Sequence, residues 1–249
     1  MKPNTKRECS TSCNRQSQKL GRFSTVTLIL CLILFIGGAV SLFLVNDDSA
    51  VSRIAFQMFE TFLMMVIIFI PKMLDRIVHI RLPKVMEIIF VAFCFCSLIL
   101  GDVADFYGKF HWWDDLQHGI SGILLGILGY ALINTFNSVD GTKIKFSPLF
   151  VSLWVISFAL SVGAIWEIIE FVTDGLFGLN SQQFLEGSGT FDEAAPLVGH
   201  EALRDTMEDL MLDLAGSLII SIIGFFDLKK QRNRISSITL DKTTSNRKS

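Results

Sequence analysis

Long apolar stretches alternate with short polar ones along this chain, and six of the apolar stretches approach the length of a bilayer crossing. They run Phe23–Val45, Ile54–Ile70, Val85–Leu100, His118–Phe136, Leu149–Phe171 and Met207–Phe226. A helix needs about 20 predominantly apolar residues to cross the hydrocarbon core. The first stretch is unbroken. The second carries Glu60 and ends at Pro71, the fourth is rich in glycine, the fifth ends in acids and the sixth begins in them. The pattern predicts an all-α fold, a polytopic membrane bundle of six transmembrane helices. The expected organisation is a basic tail over 1–22, a six-helix domain over 23–228 with a long outer loop at 175–204, and a second basic tail over 229–249. The first apolar run exceeds the roughly 7–15 residues of a signal-peptide core, and no small-residue cleavage site closes it, so it is expected to stay as an anchored helix.

Lysine and arginine set the orientation, because cytoplasmic loops of membrane proteins are enriched in them. With the N-terminus inside and the spans alternating, 19 of the 22 cations fall on the inner side, leaving Arg53, Lys109 and Arg204 outside. The acids do the reverse, with 18 of 24 in outer loops or outer helix halves. An even number of spans places both termini in the cytoplasm; five spans would destroy the asymmetry. The outer loop at 175–204 carries Gly175, Gly178, Gly187, Gly189 and Pro196 among its acids, and is expected to be a mobile lid with no domain of its own.

Composition narrows the class. Apolar residues make up 51% of the chain, charged residues 18%, and mean hydropathy is +0.50; a soluble domain carries about 25% charge. Disordered, coiled-coil and collagen-like chains are excluded. A net charge of −2 excludes a bulk basic nucleic-acid binder. Five cysteines without a C-x-x-C pair exclude a zinc ribbon and a disulfide framework. The expected location is the plasma membrane and the expected partner the lipid bilayer, not nucleic acid; the sequence leaves the oligomeric state open.

The chemistry is concentrated at three outer helix ends. Asp114, Asp115 and His118 enter the fourth helix, Glu167, Glu170 and Asp174 leave the fifth, and Asp205, Asp209 and Asp213 enter the sixth. At about 100° per residue, Glu167, Glu170 and Asp174 share one helix face, as do Asp205, Asp209, Asp213 and Gly216. Asp115 and His118 fall on the stripe of Gly119, Gly122, Gly126 and Gly129, whose small size permits close helix approach. Both are therefore expected to point into the bundle. Asp213 lies about 12 Å deeper than Asp205, and Glu167 about 10 Å deeper than Asp174, at 1.5 Å per residue. Unpaired charges at that depth cost on the order of several kcal/mol, and Arg204 is the only outer cation close in sequence. The carboxylates must hold protons, bind a metal or line a water-filled cavity.

Asp115, His118, Glu167, Glu170, Asp209 and Asp213 are accordingly expected to converge as metal ligands. His118, Glu167, Glu170 and Asp209 are the candidate catalytic groups, with Asp114, Asp174 and Asp205 at the rim. Carboxylates with one histidine suit Mg²⁺, Mn²⁺ or Zn²⁺; no other cofactor is indicated.

The runs D-x-x-H-G (Asp115 to Gly119), W-E-x-x-E (Trp166 to Glu170) and D-T-x-x-D-x-x-x-D-x-x-G (Asp205 to Gly216) resemble the YjdF-like family of bacterial membrane-spanning proteins. The likeness covers roughly residues 85–226 and rests on three motifs in fixed order on three helices. It implies a multi-pass bacterial plasma-membrane protein and no particular chemistry. The same order is similar to the VanZ-like proteins linked to glycopeptide resistance. Those typically show glutamine or asparagine at some of the positions of Glu170 and Asp213, so no function is carried over from them.

Three function classes fit these residues. One is a metal-dependent membrane enzyme acting on an envelope lipid or glycan precursor from the outer leaflet. Its metal would activate water or polarise a phosphoryl oxygen, with His118 or a spare carboxylate as base. Another is a proton- or cation-coupled transporter whose deep acids titrate, although no internal repeat or broken helix pair marks it. The third is a non-enzymatic structural or regulatory membrane protein. The run Gly119-Ile120-Ser121-Gly122 has the G-x-S-G form of a rhomboid protease, but the sixth helix offers no histidine base. Ser121 also falls about 120° off the Asp115 stripe, so its replacement is expected to be without effect.

Overall fold

The computed structural model of the chain describes residues 21–77, 80–137, 146–186, 194–230 and 241–242. Most of both basic tails lies outside the described residues. Among the described residues, six helices are long and apolar enough to cross a membrane. They are α1 (Arg22–Leu42), α2 (Asp48–Ile67), α3 (Lys84–Cys94, continued by π-helical turns over Phe95–Val103), α4 (Trp112–Asn137), α5 (Pro148–Phe177) and α6 (Arg204–Lys229). The protein is an all-helical, multi-pass membrane bundle. Short helices at Ile70–Ile77 and Phe106–Lys109 lie in the connections. A two-residue antiparallel pairing of Ile80–Arg81 with Asp241–Lys242 brings the α2–α3 connection and the C-terminal segment to the same end of the bundle.

Local chemistry sets the helix ends. The Asp47 carboxylate caps α2 by accepting from the Ser49 hydroxyl at 2.6 Å and the Ala50 N–H at 2.9 Å. These bonds, the hydroxyl first, hold its carboxyl below the usual range. Ser147 caps α5 through the Phe150 N–H at 3.2 Å, with Pro148 in the first turn. Gly178 closes α5 in the left-handed region (φ 66°), donating to the Asp174 carbonyl at 2.9 Å. α5 thus runs on from Phe171, where its apolar stretch stops, to Phe177. Its last turns are stabilised by the loop folding back on them, a tertiary contact that hydropathy does not register.

The helices pack in two triplets. The α1–α3 half buries Cys31, Met64, Ile68, Val91, Leu98 and Ile99, with Trp166 of α5 against it. The α4–α6 half buries Tyr130, Ile133, Val151, Val155 and Ile220. Outward residues such as Ile33, Ile168 and Phe226 stay exposed, the surface a bilayer covers. α4 and α6 touch backbone to backbone: a side chain on Gly122 would strike the Asp213 carbonyl, and one on Gly216 the Gly119 carbonyl. Gly126 faces Ile220 of α6, Gly129 faces Val155 and Phe158 of α5, and Gly119 faces open space. The glycine stripe of α4 therefore serves two neighbours.

Candidate functional site

The N-terminal ends of α4 and α6 and the C-terminal end of α5 meet around His118, a buried residue of α4. Its imidazole divides the surroundings in two. Around Nε2 stand Asp114 Oδ1 at 3.7 Å, Glu167 Oε1 at 3.8 Å and Asp209 Oδ1 at 3.9 Å. Behind the ring, Asp213 Oδ2 lies 3.3 Å from Nδ1. An Nδ1–H bonded to Asp213 leaves the Nε2 lone pair aimed at the three carboxylates, the carboxylate–histidine arrangement that orients a metal-binding imidazole.

Ligand atoms of Asp114, His118 and Asp209 lie within 4.8 Å of one another. Atoms that each sit about 2.0–2.6 Å from one ion are at most roughly 5 Å apart, so the set is compact enough for a single divalent cation. Two oxygens in this chamber, Glu167 Oε1 and Asp209 Oδ2, have no hydrogen-bond partner, although their residues are only 4% and 2% exposed. A buried unsatisfied acceptor costs about 1–3 kcal/mol, more when charged. A cation offsets that cost for both at once. The donors are hard oxygens with one imidazole, which fits Mg²⁺, Mn²⁺ or Zn²⁺.

Asp213 is fully buried and doubly held. The Ser121 hydroxyl donates to Asp213 Oδ1 and also lies 2.8 Å from the His118 carbonyl. α5 comes so near that a side chain on Gly163 would occupy the place of Asp213 Oδ2.

The α5–α6 loop closes the chamber from outside. Both oxygens of Asp174 accept backbone N–H bonds, from Ser181 at 2.8 Å and Gln182 at 3.0 Å. The Gln182 amide then reaches the Glu167 carbonyl at 3.3 Å, Glu167 Oε2 at 3.4 Å and the Thr206 hydroxyl at 3.0 Å. Gln183, in the left-handed region at φ 46°, bonds Asp114 through its side chain. A non-glycine residue there marks local strain held by its surroundings. Leu185 and Pro196 form an antiparallel bridge that narrows the base of the loop.

Several sequence expectations change here. Asp115 is exposed, lining a surface groove with Glu208, Met211 and Leu212, and does not enter the chamber. Asp114, expected at the rim, takes its place. From His118, Asp114 lies about 40° round the helix and Asp115 about 60° in the opposite direction, and the rotation fixed by the Gly122–Gly216 contact selects Asp114. Ser121, set aside as off the stripe, lies seven residues after Asp114 and so on its face. Asp213 orients the ring from behind. Asp174 anchors the loop, and Asp205 stays at the mouth with Oδ2 buried and unpartnered. Glu170 turns away: its Oε1 accepts from Trp166 Nε1 at 2.8 Å, and it interacts with Glu60 of α2. The loop's described residues are tied down by these bonds, where a freely moving lid was expected; residues 187–193 lie outside the described set. Gln182 and Gln183 carried no signal in the sequence.

Residues 23–230 match the model of a family described as "Predicted membrane protein (DUF2238)". The chain belongs to that family. It is also similar to an uncharacterized protein of Thermotoga maritima, 25% identical over 160 residues that cover 63% of this chain and 70% of the relative. No solved structure matches the chain. The family description agrees with the six spans and leaves the chemistry of the chamber to its residues.

Proposed function

We propose that this protein is a divalent-cation-dependent enzyme of the plasma membrane, acting on an envelope lipid or glycan precursor presented at the outer leaflet. One observation carries the proposal: Asp114, Glu167 and Asp209 surround Nε2 of a histidine whose Nδ1 is held by Asp213, and two of their oxygens are buried without partners. Asp114, His118 and Asp209 would hold the cation, which would activate water or polarise a phosphoryl oxygen. Glu167, with Oε2 on Gln182 and Oε1 free, is placed to ligate or to take a proton from that water. Asp213 and Ser121 position the imidazole. The outer location follows from the cation asymmetry of the loops. The paired Ile80–Arg81 and Asp241–Lys242 segments agree with it, both falling on the predicted cytoplasmic side. The YjdF-like motifs fall on the same three helices.

The test is cation content of the purified protein, by elemental analysis, with Mn²⁺ and Zn²⁺ titrations after chelation. Wild type should bind one ion tightly. Asp209→Asn and Glu167→Gln should lose it while remaining folded, and Asp115→Asn should keep it. Failure of the wild type to bind any divalent cation overturns the proposal. A second reading, cation-coupled transport, is favoured by further carboxyls beyond the chamber, Glu170 of α5 and Glu60 of α2, each with a buried oxygen that has no hydrogen-bond partner. Uptake of Mn²⁺ by sealed proteoliposomes distinguishes it from an enzyme that only retains the ion.

A further inference from the structure

A groove of about 310 Å³ opens at the chamber end of the bundle, lined by Asp115 of α4 and Glu208, Met211 and Leu212 of α6. Its polar and apolar groups are sorted by depth. Asp115 lies three residues into α4, after Trp112, and Glu208 four residues into α6, after Arg204. At 1.5 Å per residue both carboxyls therefore stand about 4.5–6 Å inside their helix ends. Trp112 is exposed, and a tryptophan at the end of a span sits at headgroup level. Met211 and Leu212 follow Glu208 by about one turn, and the same face of α6 runs on through Ala215 and Ile219, both exposed. On α4, one turn after Asp115 comes Gly119, where an added side chain would meet nothing. Acids thus stand at the level of lipid headgroups, and apolar side chains with open space beside Gly119 lie at the level of the chains.

Charge at the mouth is unbalanced. Arg204 lies 3.0 Å from Glu201 Oε2 and 3.4 Å from Glu208 Oε1. One cation thus faces two acids, and the exposed Asp115 adds a third. An anionic headgroup meets repulsion there, and a cationic one does not. The groove is at the lower end of the roughly 300–1,000 Å³ of small-molecule sites, the size of a headgroup with the start of a chain.

We propose that this groove binds a zwitterionic phospholipid with a primary-amine headgroup, its ammonium on Asp115 and Glu208 and one chain along Met211, Leu212 and Gly119. A primary ammonium carries three N–H donors, as a lysine does, enough for both carboxylates. A quaternary ammonium has the charge without the donors. Arg204, one turn above Glu208, is the cation available to the lipid phosphate. Asp115 and Glu208 adjoin the chamber residues Asp114 and Asp209 in sequence, so the headgroup is held on the flank of the chamber. The site needs no cation in the chamber.

Native mass spectrometry of the full-length protein tests it, in detergent containing a chelator and equal amounts of phosphatidylethanolamine, phosphatidylcholine and phosphatidylglycerol. Phosphatidylethanolamine should be retained about fivefold over phosphatidylglycerol, the product of two exposed ion contacts of about two- to threefold each, and should also exceed phosphatidylcholine. The double variant Asp115→Asn/Glu208→Gln should lose the preference. Gly119→Leu, which fills the open space next to Asp115 along α4, should lower phosphatidylethanolamine retention at least as far; if it does not fold, the double variant of two exposed side chains decides alone. Equal retention of phosphatidylethanolamine and either other lipid overturns the proposal, and so does a preference that survives the double variant. A dimer that added lipid dissociates would place a second copy of the chain in the groove and overturn it as well. With the chelator present, a negative result leaves the cation reading of the chamber standing, and a chamber that binds no Mn²⁺ leaves the lipid site standing.

Discussion

Replacing Asp213 by asparagine separates an orienting carboxylate from a ligand. Asp213 is fully buried, with Oδ2 3.3 Å from His118 Nδ1 and Oδ1 accepting the Ser121 hydroxyl. Asparagine keeps the shape and loses the charge. Its oxygen can still accept from Nδ1–H if its amide turns to Ser121, whose hydroxyl can then donate to the His118 carbonyl alone. The imidazole keeps its tautomer and loses charge assistance. A hydrogen bond to a charged group is worth about 1.5–3 kcal/mol and a neutral one about 0.5–1.5. The difference, about 1–1.5 kcal/mol, is roughly five- to twelvefold in affinity at 1.4 kcal/mol per decade. The 3.3 Å separation is long for a charge-assisted bond, usually about 2.7–2.9 Å, which favours the lower part of that range; orienting carboxylates in general are worth about 10–100-fold. Mn²⁺ titration calorimetry should therefore show Asp213→Asn binding about fivefold more weakly than wild type, while Asp209→Asn, which removes a ligand, shows no saturable binding. Equal loss in both variants would make Asp213 a ligand, and no loss in Asp213→Asn would mean that it does not orient the ring. Either result refutes the carboxylate–histidine arrangement.

Ser121→Ala leaves a fully buried Asp213 oxygen without its donor, at a cost of about 1–3 kcal/mol; thermal unfolding in detergent should fall by several degrees, and a Tm equal to wild type contradicts the contact. Gly163→Ala gains about 1 kcal/mol of helix propensity but pushes a methyl into the place of Asp213 Oδ2, an overpacking cost of about 1–3 kcal/mol. Its Mn²⁺ affinity should drop at least as far as that of Asp213→Asn, and retained affinity would show that α5 stands farther off. A reporter active only outside the cytoplasm should work when inserted after Phe191 and fail when fused after Ser249; the opposite pattern inverts the orientation.

The six spans, their order and the concentration of acids at one end of the bundle were legible in the sequence because each depends on local properties: the length of an apolar run, the alternation of spans, the turn angle of a single helix. That His118, Glu167, Asp209 and Asp213 lie deep on inward faces followed from the same spacing. The choice between Asp114 and Asp115 did not, since both neighbour His118 on α4 and only the rotation of α4 against Gly216 of α6 separates them. Glu167 and Glu170 share a face by arithmetic, yet α5 also packs Trp166 against the α1–α3 half, so Glu167 turns to His118 and Glu170 to the Trp166 indole. Gln182 and Gln183 reach the chamber only because Asp174 folds their loop back over α5, a contact between residues close in sequence whose purpose appears only when α6 closes the other side. Periodicity fixes which residues of one helix point together; where that face points depends on the partners that bury it, and those meet only in the folded bundle.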